Sequence, residues 1–188
     1  MAPFDIIAIG GSAGSIPIVS ELLEALPSTF QYAVIIVLHR LRNVYSEMNR
    51  VLTTSDKGTY VHEPDDKEVI QPNSIYLAPQ NYHLLIEADR CFSLDYSELV
   101  NYSRPSIDVT FESLASVYGS RVLAVLLSGA NDDGALGMEA ILSNGGQAIV
   151  QDPATAAYAA MPRAALERNP TALVLSPDGI IKFLSITT

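Results

Sequence analysis

The sequence is poor in cysteine, in basic residues and in long apolar runs, and each shortage removes a class of protein. One cysteine, Cys91, in 188 residues forms no internal disulfide and points to a reducing compartment, the cytoplasm. It lies in a strand-like run, 90–95, where a half-buried apolar thiol is the ordinary state. Lys and Arg total 11 against 21 Asp and Glu, a formal net charge of −10. Broad binding to nucleic acid or an anionic membrane, which needs basic surface, is therefore not expected. No stretch approaches the ~20 apolar residues that span a bilayer, and the start, Met1-Ala2-Pro3-Phe4-Asp5, lacks the basic residues of a secretory signal. His and Cys nowhere cluster with zinc spacing, and the acidic stretch 56–68 lacks the pattern of a calcium loop, so no metal is expected.

The composition that remains is 48% hydrophobic and 17% charged, which is too apolar for a disordered chain and specifies a packed soluble globule. The length suits one domain, residues 1–188, at the usual size of about 150 residues per domain. Ile6 to Ile9 is a short apolar run closed by Gly10-Gly11, and helical spacing follows from Ile16 to Leu26, stopped by Pro27. Tyr32 to Leu38, Ser74 to Ala78, Val122 to Leu127, Ala148 to Val150 and Ala172 to Leu175 read as further strands. The longest are continuously apolar, as in parallel strands covered on both faces. Helices are expected over Val44 to Thr53, from Arg104-Pro105-Ser106 through Tyr118, over Ala135 to Leu142 and over Pro162 to Arg168, with a last amphipathic segment at Ile180 to Leu184. His83 to Glu87 and Cys91 to Asp95 read as a hairpin turning at 88–90. The fold class is thus α/β: a doubly wound, mostly parallel sheet with helices on both faces and an antiparallel hairpin.

In such folds ligands bind beyond the carboxyl ends of the strands. The first strand ends in Gly10-Gly11-Ser12-Ala13-Gly14-Ser15, which holds Gly-x-Ser-x-Gly at a strand-to-helix turn. That pattern lifts a serine hydroxyl clear of the backbone and sets helix N–H groups beside it. The second strand ends at His39, and the Val122 strand runs into Asp132-Asp133-Gly134. A serine becomes a nucleophile when an imidazole takes its proton and a carboxylate orients that imidazole. The roles proposed are Ser12 nucleophile, His39 general base then acid, and Asp133 orienter. The same residues have plainer readings. The glycine turn suits a phosphate cradle, although Gly10-x-Ser12-x-x-Ser15 carries serine at two of the three dinucleotide glycine positions. Asp132 reads equally as a cap for the helix starting near Ala135. His62, in the acidic region, reads as solvated, and His83 as a rim or packing residue. Arg40, Arg42 and Arg50 form a candidate basic lip beside His39, with a solvated helix face as the commoner explanation.

Taken together, 9–15 (IGGSAGS), 37–39 (VLH), 76–79 (YLAP), 82–83 (YH), 104–109 (RPSIDV), 127–138 (LSGANDDGALGM) and 161–165 (MPRAA) resemble the catalytic domain of the CheB-type chemotaxis protein-glutamate methylesterases. The resemblance implies that family's C-terminal-domain fold, with Ser12, His39 and Asp133 as its catalytic triad. It further implies hydrolysis of glutamate γ-methyl esters on a methylated chemoreceptor or similar protein, deamidation of receptor glutamines, and no cofactor. The family usually shows Ser-Thr-Gly-Gly at the elbow, where this chain has Ser12-Ala13-Gly14-Ser15, and a methionine where it has Ala130. The Ala13 and Ala130 backbone N–H groups are then the expected oxyanion donors. Family members usually carry a receiver domain ahead of the catalytic one. Its lack here leads us to expect regulation, if any, from a separate protein. The alternative class is a catalytically weak or inactive binding module of the same fold that recognises a receptor or signalling partner.

Overall fold

The computed structural model describes residues 4–41, 44, 46–53 and 60–187. Seven strands form one sheet: β1 Ile6–Gly11, β2 Ala33–Leu38, β3 Val61–His62, β4 Ile75–Leu77, β7 Val122–Leu126, β8 Gln147–Gln151 and β9 Leu173–Leu175. Their order is β3-β4-β2-β1-β7-β8-β9, and every pairing between them is parallel. The remaining two, β5 His83–Ile86 and β6 Phe92–Asp95, pair antiparallel as a separate hairpin. Between strands run α1 Ile16–Ala25, α2 Met48–Leu52, α3 Ile107–Tyr118, α4 Ala135–Ser143, α5 Ala160–Arg168 and, last, α6 Pro177–Thr187.

Side chains alternate across a strand, so a wholly apolar strand feeds two cores at once. In β1, Ile6 and Ala8 join α3, α4, α5 and the hairpin through Phe111, Met138, Met161 and Phe92. Ile7 and Ile9 face the other way, onto Val19, Leu22 and Leu23 of α1, Leu52 of α2 and Ile180 and Leu184 of α6. Burying each such aliphatic side chain is worth about 1.5–3 kcal/mol. The two-sided core is what holds the strand ends rigid. The hairpin is tied to α3 by the Thr110 hydroxyl donating to the Leu84 carbonyl at 2.7 Å and by the Ile86 N–H donating to Ser113 Oγ at 3.1 Å.

The chain starts at β1, builds outward through β2 to β4 and β3, then returns to β7 on the other flank of β1. The crevice at that reversal lies at the carboxyl ends of β1 and β7, where open α/β sheets place their ligands. One sequence expectation is trimmed here. The helix expected over Val44 to Thr53 is only Met48–Leu52; Val44 lies in a bend before it, and Tyr45 lies outside the described residues. Among the described residues no helix is long and apolar enough to cross a membrane.

Candidate active site

The elbow that carries Ser12 forms because β1 runs into a tight turn with little room for side chains. The Ser15 N–H and hydroxyl both bond to the Ser12 carbonyl, at 3.1 and 2.7 Å. The Ser12 N–H donates to the Ser128 carbonyl at 2.9 Å, which pins the turn to the end of β7. Gly14 sits at φ +79°, and a Cβ there would stand 2.6 Å from the Ala157 Cβ, so the position needs glycine on two counts. Ser128 extends the clamp, donating its hydroxyl to the Ala13 carbonyl at 2.8 Å and accepting the Tyr158 N–H at 2.9 Å.

His39 follows β2 as Ser12 follows β1. Gly11 and Leu38 are register partners, and the His39 N–H donates to the Gly11 carbonyl at 3.2 Å. Neighbouring strands lie about 4.8 Å apart, so the two residues stand side by side on the sheet edge. The imidazole Nε2 is 2.7 Å from Asp133 Oδ2. The carboxylate accepts, so Nε2 carries the proton and Nδ1 is left as the base. A serine oxygen faces that nitrogen at 3.4 Å, and it is Ser103 Oγ. Ser12 Oγ makes no hydrogen bond to any described residue. Free-enzyme contacts between nucleophile and base are commonly loose.

Asp133 is fully buried and held by more than the histidine. Its Oδ2 also accepts the Ile107 N–H at 2.7 Å, while Oδ1 accepts the Asp108 N–H at 3.1 Å, the Ser106 hydroxyl at 2.8 Å and Asn101 Nδ2 at 3.1 Å. All but Asn101 belong to the cap and open first turn of α3, where an anion is stabilised by unpaired N–H groups and the helix dipole. Burial alone would raise the Asp133 pKa, but the His39 ring and the Ile107 and Asp108 N–H groups outweigh it, so it lies below the ordinary carboxylate value.

The reverse exchange occurs next door. Asp108, on the first turn of α3, accepts through Oδ1 the N–H groups of Gly134, the cap of α4, and Gly137 within it at 2.8 and 2.7 Å, and Asn101 Nδ2 reaches its Oδ2 at 2.7 Å. Two helices thus hold each other's carboxylates at their N-termini. The contact requires close approach: a Cβ on Gly137 would stand 2.6 Å from the Phe111 Cβ and 3.1 Å from the Asp108 Cα. Burial, opposed by the two N–H groups and reinforced by the Asp133 charge, raises the Asp108 pKa to about 6.

The structure brings His39 and Asp133 into contact and sets Ser12 on the adjacent strand end. Asp132 is exposed, and its side chain does not cap α4; that task falls to Asp108, a residue the sequence reading passed over, as it did Asn101, Ser106 and Ser128. His83 is buried packing rather than rim: its Nδ1 accepts the Ser106 N–H at 3.2 Å and Nε2 donates to the Glu98 carbonyl at 2.9 Å. His62 is not simply solvated. It belongs to β3, lies 2.9 Å from Glu68 Oε1 and packs edge-on against Tyr76. The basic lip is also different from its reading. Arg40 is turned inward, its side chain 4% exposed and paired with Glu63; Arg50 is paired with Glu47; Arg42 lies outside the described residues. The Ala13 and Ala130 N–H groups donate to no acceptor among the described residues, as oxyanion donors must. Among those residues no group of three or more His, Cys, Asp or Glu is placed to hold a metal ion.

Comparison with known proteins identifies the family and the fold. A relative from Leptospira interrogans, which carries a provisional protein-glutamate methylesterase/protein-glutamine glutaminase name, is 44% identical over 177 residues, covering 94% of this chain and 91% of its own. The protein-glutamate methylesterase/protein-glutamine glutaminase 2 of Methanosarcina acetivorans is 34% identical over 185 residues, which cover 94% of this chain and 51% of that longer one. The crystal structure of the Thermotoga maritima CheB methylesterase catalytic domain superposes with a TM-score of 0.90 at 28% identity, covering 98% of this chain and 99% of that one. The CheB methylesterase family model matches residues 7–184, and the chain belongs to that family of ester hydrolases.

Proposed function

We propose that this chain hydrolyses glutamate γ-methyl esters on chemoreceptors or similar methylated proteins, with Ser12, His39 and Asp133 as its catalytic triad. The observation that carries the reading is the 2.7 Å contact of His39 Nε2 with the buried Asp133, made at the strand end beside Ser12. Ser12 Oγ attacks the ester carbonyl carbon and its proton passes to His39 Nδ1. The tetrahedral oxygen takes its negative charge against the Ala13 and Ala130 N–H groups. The carbon–methoxy bond then breaks, and His39 returns the proton to the departing oxygen, releasing methanol. A water, deprotonated by the same Nδ1, attacks the acyl carbon; the acyl–Oγ bond breaks, His39 returns the proton to Ser12 Oγ, and a glutamate carboxylate leaves. With glutamine as substrate the same steps release ammonia. Asp133 stabilises the imidazolium formed twice in each cycle, and no cofactor enters any step. The lone thiol, Cys91, is free and suits a reducing compartment, so we place the reaction in the cytoplasm.

The test is methanol release from a methylated receptor fragment. Wild-type protein releases it, and Ser12→Ala loses about 10⁶-fold in kcat, the usual consequence of removing a triad serine. Equal release by both proteins overturns the assignment of the nucleophile. A second reading, a binding module without turnover, is favoured by the absence of a Ser12–His39 hydrogen bond. It predicts that the wild-type protein binds the methylated fragment and releases no methanol.

A further inference from the structure

A cavity of about 220 Å³ opens beside His39, and its lining includes Arg40, Tyr102, Ser103 and Arg104 but no carboxylate among the described residues. Its two arginines are held differently. Arg40 is largely neutralised, with Nη1 donating to Glu63 at 2.7 Å and Nη2 to the Ala78 carbonyl at 2.6 Å. Arg104 has no acidic partner among the described residues. Its Nη1 donates to the Tyr96 and Ser97 carbonyls, and its guanidinium lies 3.8 Å from the Tyr96 ring centroid. Carbonyls and a ring face fix a guanidinium in place without cancelling its permanent charge. Both residues also keep a buried Nε–H with no acceptor among the described residues.

A fixed, uncompensated cation beside the proposed general base, in a chain of net charge −10, is a receptor for an anion. The anion belongs to the reacting molecule, because the cavity shares His39 with the ester chemistry. The rim suits a polypeptide: Leu41 is 77% exposed, Tyr96 65% and Tyr102 94%, and apolar and aromatic surface of that kind marks a protein-binding face. We infer that this cavity takes a free carboxylate side chain flanking the methylated glutamate, with Arg104 as the residue that selects acidic substrate segments. The inference rests on the esterase reading for the identity of the substrate, but affinity tests it apart from turnover.

The probe is a set of labelled helical peptides, each with one glutamate γ-methyl ester and either a free Glu or a Gln one, three or four residues away on either side. Three and four residues are one helical turn, about 5–6 Å between side-chain origins. Affinity is measured by fluorescence anisotropy on the full chain, and methanol release separately. At least one Glu peptide binds tenfold or more tightly than its Gln counterpart at low salt, and the preference falls as salt rises. Arg104→Gln brings the ratio within twofold, and Arg104→Lys, which keeps the charge, retains most of it. A ratio within twofold for every pair on the wild-type protein overturns the inference, as does a preference that high salt or Arg104→Gln leaves unchanged. If Arg104→Gln does not fold, the salt series on the wild-type chain decides alone. Failure to release methanol from any peptide defeats the esterase reading and leaves the affinity ratio to judge the cavity.

Discussion

Asp133 and Ser12 stand at the same edge of the sheet, and the fold treats them in opposite ways. Asp133 is buried and receives five donors, from Asn101, Ser106, Ile107, Asp108 and His39. Ser12 is half-buried, held through its backbone alone, with a hydroxyl bonded to no described residue. The difference teaches where preorganisation is needed. A charge that must not move during the reaction is fixed by a helix terminus, and the group that must travel between water, base and acyl carbon is left free to turn.

The largest way to break the contrast is to disarm the rigid side. In Asp133→Asn one carboxylate oxygen becomes a donor facing either the Ile107 N–H and the His39 Nε2–H or the other three donors. The imidazole is then driven toward the wrong tautomer. A loss of about 10⁴-fold in kcat is expected, as when a triad aspartate becomes asparagine, read by methanol release across pH. A loss below tenfold would show that Asp133 is a structural anchor for α3 and no more.

A smaller test addresses the partner carboxylate. The Asp108 pKa is raised to about 6 in the folded chain, so the folded state holds the extra proton and stability grows as pH falls from above 6 toward the unfolded value near 4. Asp133 acts in the other direction: its depressed pKa contributes stability that is full above about pH 4 and is lost below it. These two carboxylates together therefore contribute more stability near pH 5 than at pH 7. Asp108→Asn removes the gain between pH 7 and 5, which calorimetry at a series of pH values measures directly. An unchanged profile would remove Asp108 as its source.

The smallest expected effect lies in the packing that makes the exchange possible. Gly137→Ala puts a methyl group against Phe111 and the α3 backbone, and about 1–3 kcal/mol of stability is lost by overpacking. The accompanying shift between α3 and α4 moves Asp133 relative to His39, so kcat falls while KM holds. A variant of full stability and full activity would show that the two helices are free to slide.

Most of the sheet was legible in the sequence because its strands are buried on both faces and read as unbroken apolar runs, from Ile6 onward and from Ala33 to Leu38. Val44 to Thr53 misled because its apolar residues have helical spacing, yet Leu41 and Val44 are exposed and their carbonyls accept from Gln80 Nε2. Ser12, His39 and Asp133 could be singled out because each follows a strand. Asp108 could not be, since an acid in the first turn of a helix is an everyday local preference. Its actual partners, Gly134 and Gly137, lie 26 and 29 residues away. Arg104 was hidden for a similar reason: its lack of a carboxylate partner among the described residues is a fact of three dimensions.

The most direct trial of the triad is to treat the protein with a fluorophosphonate and map the adduct by peptide mass spectrometry. The account predicts a single adduct on Ser12 that His39→Ala abolishes. An adduct on Ser103, the serine whose oxygen already faces His39 Nδ1 at 3.4 Å, or no adduct at all, would contradict it.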